Sequence, residues 1–277
     1  MKQVLVTGAN GQLGKSIKRI SPNFKGLKFV FTDKADLDIT NSEEVNTFFE
    51  SNALDYCINC AAYTSVDKAE EETDKAYLIN ATAVKNLAEA CKKSGAVLIH
   101  ISTDFVFDGT KRTPYTEEDT PNPLSVYGKS KLKGEEHVQE SCDRHFIVRT
   151  SWLYSEYGNN FVKTMLRLAE TRKQISVVND QIGSPTYAGD LAELILKIIS
   201  SESTAYGLYH YSNLGEISWY DFAVEIFRQF KKTVRAVPIP TSAYSTAAKR
   251  PAYSVMDLSK AKITFGNTIP LWKQRII

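Results

Sequence analysis

A glycine-rich loop between the first apolar segment and the first helical segment is the feature that most restricts the fold of this chain. Residues 2–7 read as a short buried strand, and Gly8, Gly11 and Gly14 follow it directly. Glycines at this spacing allow a tight turn and a close approach of the backbone to a diphosphate, which the N–H groups at the helix N-terminus can bind. We therefore expect a dinucleotide to bind here, with Gln12 and Leu13 opening the helix.

The first 150 residues alternate between strand-like and helix-like segments. In the segment 76–91 apolar residues recur three or four apart, and Gly95 is placed to end that helix. Short apolar strands separated by helices need crossover connections, which produce a parallel sheet. The pattern predicts a doubly wound, Rossmann-like α/β fold with strands at 2–7, 28–32, 55–60, 97–102 and 145–150.

Beyond residue 150 the alternation is less regular. Helices are predicted at 159–173, 188–200 and 218–231, strands at 175–178, 206–210 and 234–237, and an irregular loop at 238–256. We expect a dinucleotide-binding domain at 1–150 that carries the catalytic residues. We expect a smaller α+β substrate-binding region at 151–277, some segments of which return to the first sheet.

Composition excludes several other classes of protein. The net charge is only +2, from scattered charges, so no basic surface for nucleic acid is indicated. No apolar run approaches the ~20 residues of a membrane helix, and the N-terminus lacks a signal peptide, so we expect a cytoplasmic protein. Cys57 and Cys60 have the spacing of a redox or metal pair, but they lie in an apolar strand and are interpreted as small buried residues.

Further residues suit a dinucleotide. Asp33 follows Gly14 by 19 positions, at the end of the second strand, where its carboxylate can accept a hydrogen bond from a ribose hydroxyl. Lys34 beside it can pair with a 2′-phosphate, so both NAD(H) and NADP(H) remain candidates. The segment with Asp38 and Ile39 comes where an adenine ring would lie. The third strand ends in four residues at the ligand-binding edge, Ala61, Ala62, Tyr63 and Thr64.

Tyr127 and Lys131 lie four residues apart at the start of a helical segment, so both side chains share one helix face. A nearby ammonium and an oxidised nicotinamide would stabilise a phenolate and lower the tyrosine pKa from about 10. Ser102 and Thr103 end the preceding strand, where a hydroxyl can bind a carbonyl oxygen beside the tyrosine. The pattern favours a proton-transfer site.

These motifs together resemble the extended short-chain dehydrogenase/reductases, and within them the dTDP-4-dehydrorhamnose reductases. The general match is G-x-x-G-x-x-G at 8–14, Ser-Thr-Asp at 102–104 and Tyr-x-x-x-Lys at 127–131. The narrower match adds the segments 59–70, 102–109, 149–154, 158–161, 179–186 and 249–251. The resemblance extends from residue 4 to about residue 272.

The resemblance implies NAD(P)H-dependent reduction of the C4 keto group of dTDP-4-dehydro-L-rhamnose, which supplies dTDP-L-rhamnose for polysaccharide synthesis. It implies that Tyr127 donates the proton, that Lys131 binds the nicotinamide ribose, and that Thr103 binds the reacting oxygen. The substrate contacts it implies are Asp104, Phe105 and Trp152 on the sugar and Arg250 on the diphosphate.

Two departures from related patterns narrow this prediction. Phe105 stands where dehydratases of the superfamily carry a glutamate, which argues against dehydration. Some reductases of the group bind Mg²⁺ through glutamates at a dimer interface, but the matching positions here are Ser16 and Gly189. We therefore expect no metal, and either a monomer or a homodimer. The alternatives are a nucleotide-sugar epimerase and a non-catalytic regulatory subunit on the same fold.

Overall fold

The computed structural model describes residues 1–277, which contain twelve strands and ten α-helices. The strands are β1 (Lys2–Thr7), β2 (Leu27–Phe31), β3 (Tyr56–Asn59), β4 (Val97–Thr103), β5 (His145–Thr150), β6 (Leu153–Tyr154), β7 (Gln174–Val178), β8 (Ile182–Gly183), β9 (Thr186–Tyr187), β10 (Gly207–His210), β11 (Ile217–Ser218) and β12 (Arg235–Ile239). The helices are α1 (Gln12–Ile20), α2 (Ser42–Ser51), α3 (Val66–Ala69), α4 (Thr73–Tyr77), α5 (Ala83–Ser94), α6 (Val126–Ser141), α7 (Phe161–Ala169), α8 (Ala188–Ser200), α9 (Trp219–Gln229) and α10 (Ser259–Phe265).

The central sheet has six parallel strands in the order β10-β5-β4-β3-β1-β2. One apolar core joins the sheet to α1, α8 and α10, and a second joins its other face to α2, α5 and α6. The predicted doubly wound α/β fold is therefore confirmed. The order of strands along the chain reverses between β1 and β3, which is where open α/β sheets bind ligands.

The second half of the chain contributes to both parts of the molecule. Strand β10 pairs in parallel with β5 and completes the central sheet. A separate core lies between α7, α9 and the two-stranded sheet of β7 and β12. Loops from this region face the carboxyl edge of the central sheet, so residues far apart in sequence enclose one cleft.

The helix predicted at 76–91 is less regular than its sequence period indicates. Helical structure begins at Thr73, and a π-helical turn over Leu78–Thr82 separates α4 from α5. In that turn the Asn80 side chain accepts a hydrogen bond from Tyr63 N (2.8 Å) and donates one to Ser130 Oγ (3.0 Å). The widened turn thus lets one amide join the loop after β3 to α6. Gly95 ends α5 with φ 77°, as predicted.

No helix of the structure combines the length and apolar character needed to cross a bilayer.

Candidate active site

Two adjoining cavities open at the carboxyl edge of the central sheet. The smaller, of about 260 Å³, lies at the ends of β1 and β2. The larger, of about 600 Å³, extends from the N-terminus of α1 past the ends of β4 and β5 to the loops of the second half. Gly11, Cys60 and Ala62 line both, so an elongated ligand can occupy the two together.

The N-terminus of α1 is free to bind an anion. Gly11 is its N-cap, no side chain caps the helix, and its first turn contains no acidic residue. The N–H groups and the positive end of the helix dipole therefore face the cavities without an internal partner. A diphosphate fits this position, so the residues present suit the dinucleotide that the sequence predicts.

The glycine loop depends on close backbone contacts. Gly8 adopts φ 62°, and a Cβ at Gly14 would lie 2.6 Å from both Ala9 Cα and Gly8 O. The absence of a side chain at residue 14 lets α1 start directly under the loop.

Gly14→Ala is expected to weaken NAD(P)H binding at least about tenfold and to lower the free energy of unfolding by about 1–3 kcal/mol, because the added methyl must push the loop aside. Titration of bound-cofactor fluorescence and urea unfolding would measure both effects. Gly26→Ala is a matched control, since nothing lies within 4 Å of its Cβ position. Equal effects of the two substitutions would contradict the role given to Gly14.

The smaller cavity presents two carboxylates and one ammonium. Asp33 Oδ1 accepts a hydrogen bond from Lys34 N at 2.9 Å, and Lys34 Nζ lies 3.7 Å from Asp38 Oδ2. Hydrogen bonds from Thr40 hold the pKa of Asp38 below its ordinary value. The carboxylates can accept from ribose hydroxyls, and the exposed Lys34 can meet a phosphate.

Most of the residues predicted to bind a cofactor lie on these cavity walls, but two do not. Gly14 supports the loop from behind, and Tyr63 turns its hydroxyl to Glu72 Oε2, 2.8 Å away. The predicted residues that line a cavity are Gly8, Gly11, Gln12, Leu13, Asp33, Asp38, Ile39, Ala61, Ala62, Thr64, Tyr127 and Lys131.

Tyr127 and Lys131 lie in the first two turns of α6, and both line the larger cavity. Ser125 fixes the start of this helix by accepting a hydrogen bond from Gly128 N. Lys131 is buried, and its Nζ donates to Ile101 O at 2.6 Å. Burial lowers the pKa of Lys131 to about 8, while Glu135 acts in the opposite direction.

The pKa of Tyr127 is not lowered in the ligand-free protein, and the lowering expected beside an oxidised nicotinamide stays a prediction. Burial raises the pKa of Tyr127 to about 12, and the hydroxyl of Thr103 only partly opposes this shift. Lys131 is not among the causes of this shift, and its Nζ donates to the carbonyl of Ile101. Tyr127 is therefore held as a phenol, the form that can donate a proton.

Thr103 and Asp104 lie at the end of β4 beside Tyr127. Thr103 Oγ1 donates to Asp104 Oδ1 at 3.2 Å, whereas Asp104 Oδ2 is buried without a partner. Burial raises the pKa of Asp104 to about 7. Asp104 lines the larger cavity, and a buried carboxylate oxygen without a partner is unusual in a folded protein. The ring of Phe105 meets that of Tyr127 edge to face, with 5.6 Å between centroids.

Trp152 is fixed between two neighbours. Its ring stacks on that of Trp219 with centroids 3.5 Å apart, and a Cβ at Gly183 would lie 2.7 Å from its indole. Its backbone adopts φ 46°, which is unusual for a bulky residue and is a form of strain found at functional sites. These contacts hold the indole against the larger cavity.

Arg250 lines the same cavity from the loop after β12. Its guanidinium donates to both carboxylate oxygens of Asp67, at 3.1 and 2.7 Å, and to Ala248 O. This pair joins the C-terminal loop to α3 across the cleft. Two parallel hydrogen bonds are the geometry by which arginine also binds phosphate.

Several cavity residues were missed by the sequence analysis. Cys57 is buried in β3 as expected, but Cys60 follows the strand and lines both cavities. Trp219, at the start of α9, was not predicted, because only its contact with Trp152 places it there. Gly158 and Asn159, which also line the larger cavity, could have been found from the sequence, because they lie in the segment 158–161 that carries the family resemblance.

The positions considered for a metal have other roles. Ser16 is buried in α1 and its hydroxyl donates to Gln12 O, and Gly189 lies against the ring of Tyr187. No group of three or more His, Cys, Asp or Glu side chains is arranged to hold a metal ion.

The whole chain is similar to known proteins. The family described as RmlD substrate binding domain matches residues 1–277. The dTDP-4-dehydrorhamnose reductase of Aggregatibacter actinomycetemcomitans is 44% identical over 286 residues, which cover 100% of this chain and 97% of that one. The crystal structure of the Clostridium acetobutylicum dTDP-4-dehydrorhamnose reductase is 47% identical with a TM-score of 0.95, covering 99% and 96% of the two chains. The Bacillus anthracis reductase in complex with NADP is 45% identical with a TM-score of 0.96, covering 100% and 98%.

Proposed function

The chain belongs to the RmlD substrate binding domain family, and on that premise we propose that it reduces the C4 keto group of dTDP-4-dehydro-L-rhamnose with NAD(P)H, giving dTDP-L-rhamnose. The observation that carries this proposal is one cleft that joins an uncapped helix N-terminus to Tyr127 and the buried Lys131. The first suits the diphosphate of a dinucleotide, and the second suits proton transfer beside it.

A reduced nicotinamide bound in the cleft would supply the hydride to C4. Tyr127 donates a proton to the former carbonyl oxygen, so that the ketone becomes an alcohol. Its raised pKa keeps the phenol protonated before the reaction, as the reducing direction requires. Thr103 donates to the same oxygen from the end of β4, and Lys131 binds the ribose next to the nicotinamide.

The remaining cavity residues bind the sugar nucleotide in this proposal. Asp104 offers its unpartnered oxygen to a sugar hydroxyl, and Phe105 and Trp152 provide apolar faces. Arg250 binds the diphosphate and keeps its planar, bidentate geometry when it exchanges Asp67 for phosphate. Trp219 belongs to the same wall, since it supports Trp152.

The direct test supplies dTDP-4-dehydro-L-rhamnose together with NADPH or NADH and follows loss of the reduced nicotinamide absorbance. We expect one reduced cofactor to be consumed for each sugar nucleotide. An epimerase would interconvert sugar nucleotides without net consumption, and a regulatory subunit would bind cofactor without turnover. Either result would overturn the proposal.

Arg250→Ala is expected to lower kcat/KM for the sugar nucleotide by about 10- to 100-fold, since one charged hydrogen-bonding group contributes about 1.5–3 kcal/mol. The KM for NADPH should change little, because Arg250 lies away from the smaller cavity. Steady-state kinetics with each substrate varied in turn would measure both. Arg172→Ala, at an exposed position outside both cavities, is the control. A rise confined to the KM for NADPH would contradict this assignment.

A further inference from the structure

His100 is a polar residue inside an otherwise apolar part of β4, and it is fully buried. Its Nδ1 lies 3.1 Å from Asn59 Nδ2, and its Nε2 lies 3.5 Å from Lys131 Nζ. The imidazole therefore joins the end of β3 to the lysine of the proposed active site. Neither the fold nor the proposed chemistry explains a histidine here.

The surrounding hydrogen bonds determine which ring nitrogen carries the proton. Asn59 Oδ1 accepts from Thr7 Oγ1 at 2.8 Å and from Ala61 N at 3.1 Å. A backbone N–H can only donate, so it fixes the orientation of the Asn59 amide and leaves Nδ2 to donate to His100 Nδ1. Burial holds the pKa of His100 well below its ordinary value, so the ring is neutral and its one proton lies on Nε2, facing Lys131.

This arrangement fits an amine at Lys131 better than an ammonium. A neutral amine donates to Ile101 O and accepts from His100 Nε2–H through its lone pair. An ammonium has no lone pair and would place an N–H against the N–H of the ring.

We propose that His100 is a positioning residue that makes the ammonium form of Lys131 less stable in the empty cleft, until a ligand oxygen stabilises that ammonium. The role of Lys131 in catalysis rests on the proposed function. The protonation states of His100 and Lys131 in the ligand-free protein do not depend on it. The proton that Lys131 gains comes from solvent, and His100 remains neutral throughout.

Other ionisable groups near His100 and Lys131 also affect their charged forms, some stabilising and some destabilising them. Glu135 favours the ammonium, although Arg149 already pairs with its carboxylate. His145 on β5 disfavours a charge on His100. The ionisable groups that act on the pair from the neighbouring elements are Cys60 after β3, His145 on β5 and Glu135 on α6.

The first experiment needs no substitution in the site. Long-range ¹H–¹⁵N correlation spectra of the ligand-free protein distinguish the two histidine tautomers, and single substitutions of the other three histidines assign the signals. We expect His100 to be neutral, with its proton on Nε2, between about pH 5 and pH 9. A proton on Nδ1, or a charged ring, would overturn the proposal.

The second experiment follows the ¹³Cε signal of Lys131 with pH in protein with labelled lysine. We expect a midpoint near pH 8 in the native protein and a rise of about one pH unit in His100→Leu, because the opposing N–H is removed. His210→Leu is the matched control, since His210 is a second fully buried histidine, on β10 and away from the cleft. An unchanged or lower midpoint in His100→Leu would overturn the proposal.

Activity gives an independent measurement. The ammonium is present below the pKa of Lys131, so kcat should fall as pH rises through that value. This alkaline limb should move upward in His100→Leu and stay in place in His210→Leu. Because the spectra need no substrate, they test His100 even if the sugar nucleotide is not reduced. If His100→Leu does not fold, the tautomer of His100 measured in the native protein still tests the proposal, because a proton on Nδ1 would overturn it.

Discussion

Tyr127→Phe is expected to lower kcat by about 10²- to 10⁴-fold, the usual contribution of general acid–base catalysis. The substitution removes only the hydroxyl and leaves the ring against Phe105. Binding of NADPH should therefore be unchanged, because the glycine loop and the smaller cavity are untouched. Turnover under saturating substrates and a separate cofactor titration would measure the two effects.

Tyr209→Phe is the control for loss of a tyrosine hydroxyl, since Tyr209 is buried in the core and bonds to Ala205 O away from the cleft. It should retain native turnover. Turnover of Tyr127→Phe near the native value would remove Tyr127 from the mechanism.

Arg149→Met is expected to lower the free energy of unfolding by about 3–5 kcal/mol, because it leaves a buried carboxylate without its charge partner. The Arg149 and Glu135 side chains are only 3% and 2% exposed, and they form two hydrogen bonds at 2.9 and 2.6 Å. Ser102 donates to the same carboxylate, so the pair joins β4 and β5 to the helix that carries Tyr127. Urea unfolding followed by circular dichroism would measure the loss.

Two further variants test whether the loss of stability comes from leaving an unpaired charge buried. Glu50→Gln breaks the exposed pair with Lys93 and should change stability by less than about 1 kcal/mol. Arg149→Met combined with Glu135→Leu should recover part of the loss, because no unpaired charge remains buried. A double variant less stable by the sum of both single losses would contradict this explanation.

The central sheet could be predicted because its signals are local. Each of the first five strands is a short apolar run, and the predicted segments at 2–7 and 145–150 match β1 and β5 at both ends. The position of β10 beside β5 could not be predicted, since a strand of four residues carries no signal for a partner roughly 60 residues earlier. The π-helical turn depends on Asn80, whose partners Tyr63 and Ser130 lie 17 and 50 positions away in sequence.

The candidate site likewise has some features that the sequence predicts and others that it does not. The glycine loop and the Tyr127–Lys131 spacing depend on one turn of chain each, and they could be read directly. The raised pKa of Tyr127 depends on burial, which a four-residue spacing does not reveal. Trp219 and His100 gain their importance from single contacts with Trp152 and Lys131 across the fold.

The place of β10 in the sheet has a consequence for synthesis of the chain on the ribosome. The outer edge of β5 is covered only by β10, and the face of the sheet beside it is covered by α8. Roughly 60 residues separate β5 from β10, so at about 5–20 residues per second the nascent chain spends several seconds with an unpaired strand edge. Such an edge is a template for pairing with other chains. The interval in which residues 151–206 emerge is therefore when the growing polypeptide most needs a chaperone, and a transcript truncated there would yield an aggregation-prone product.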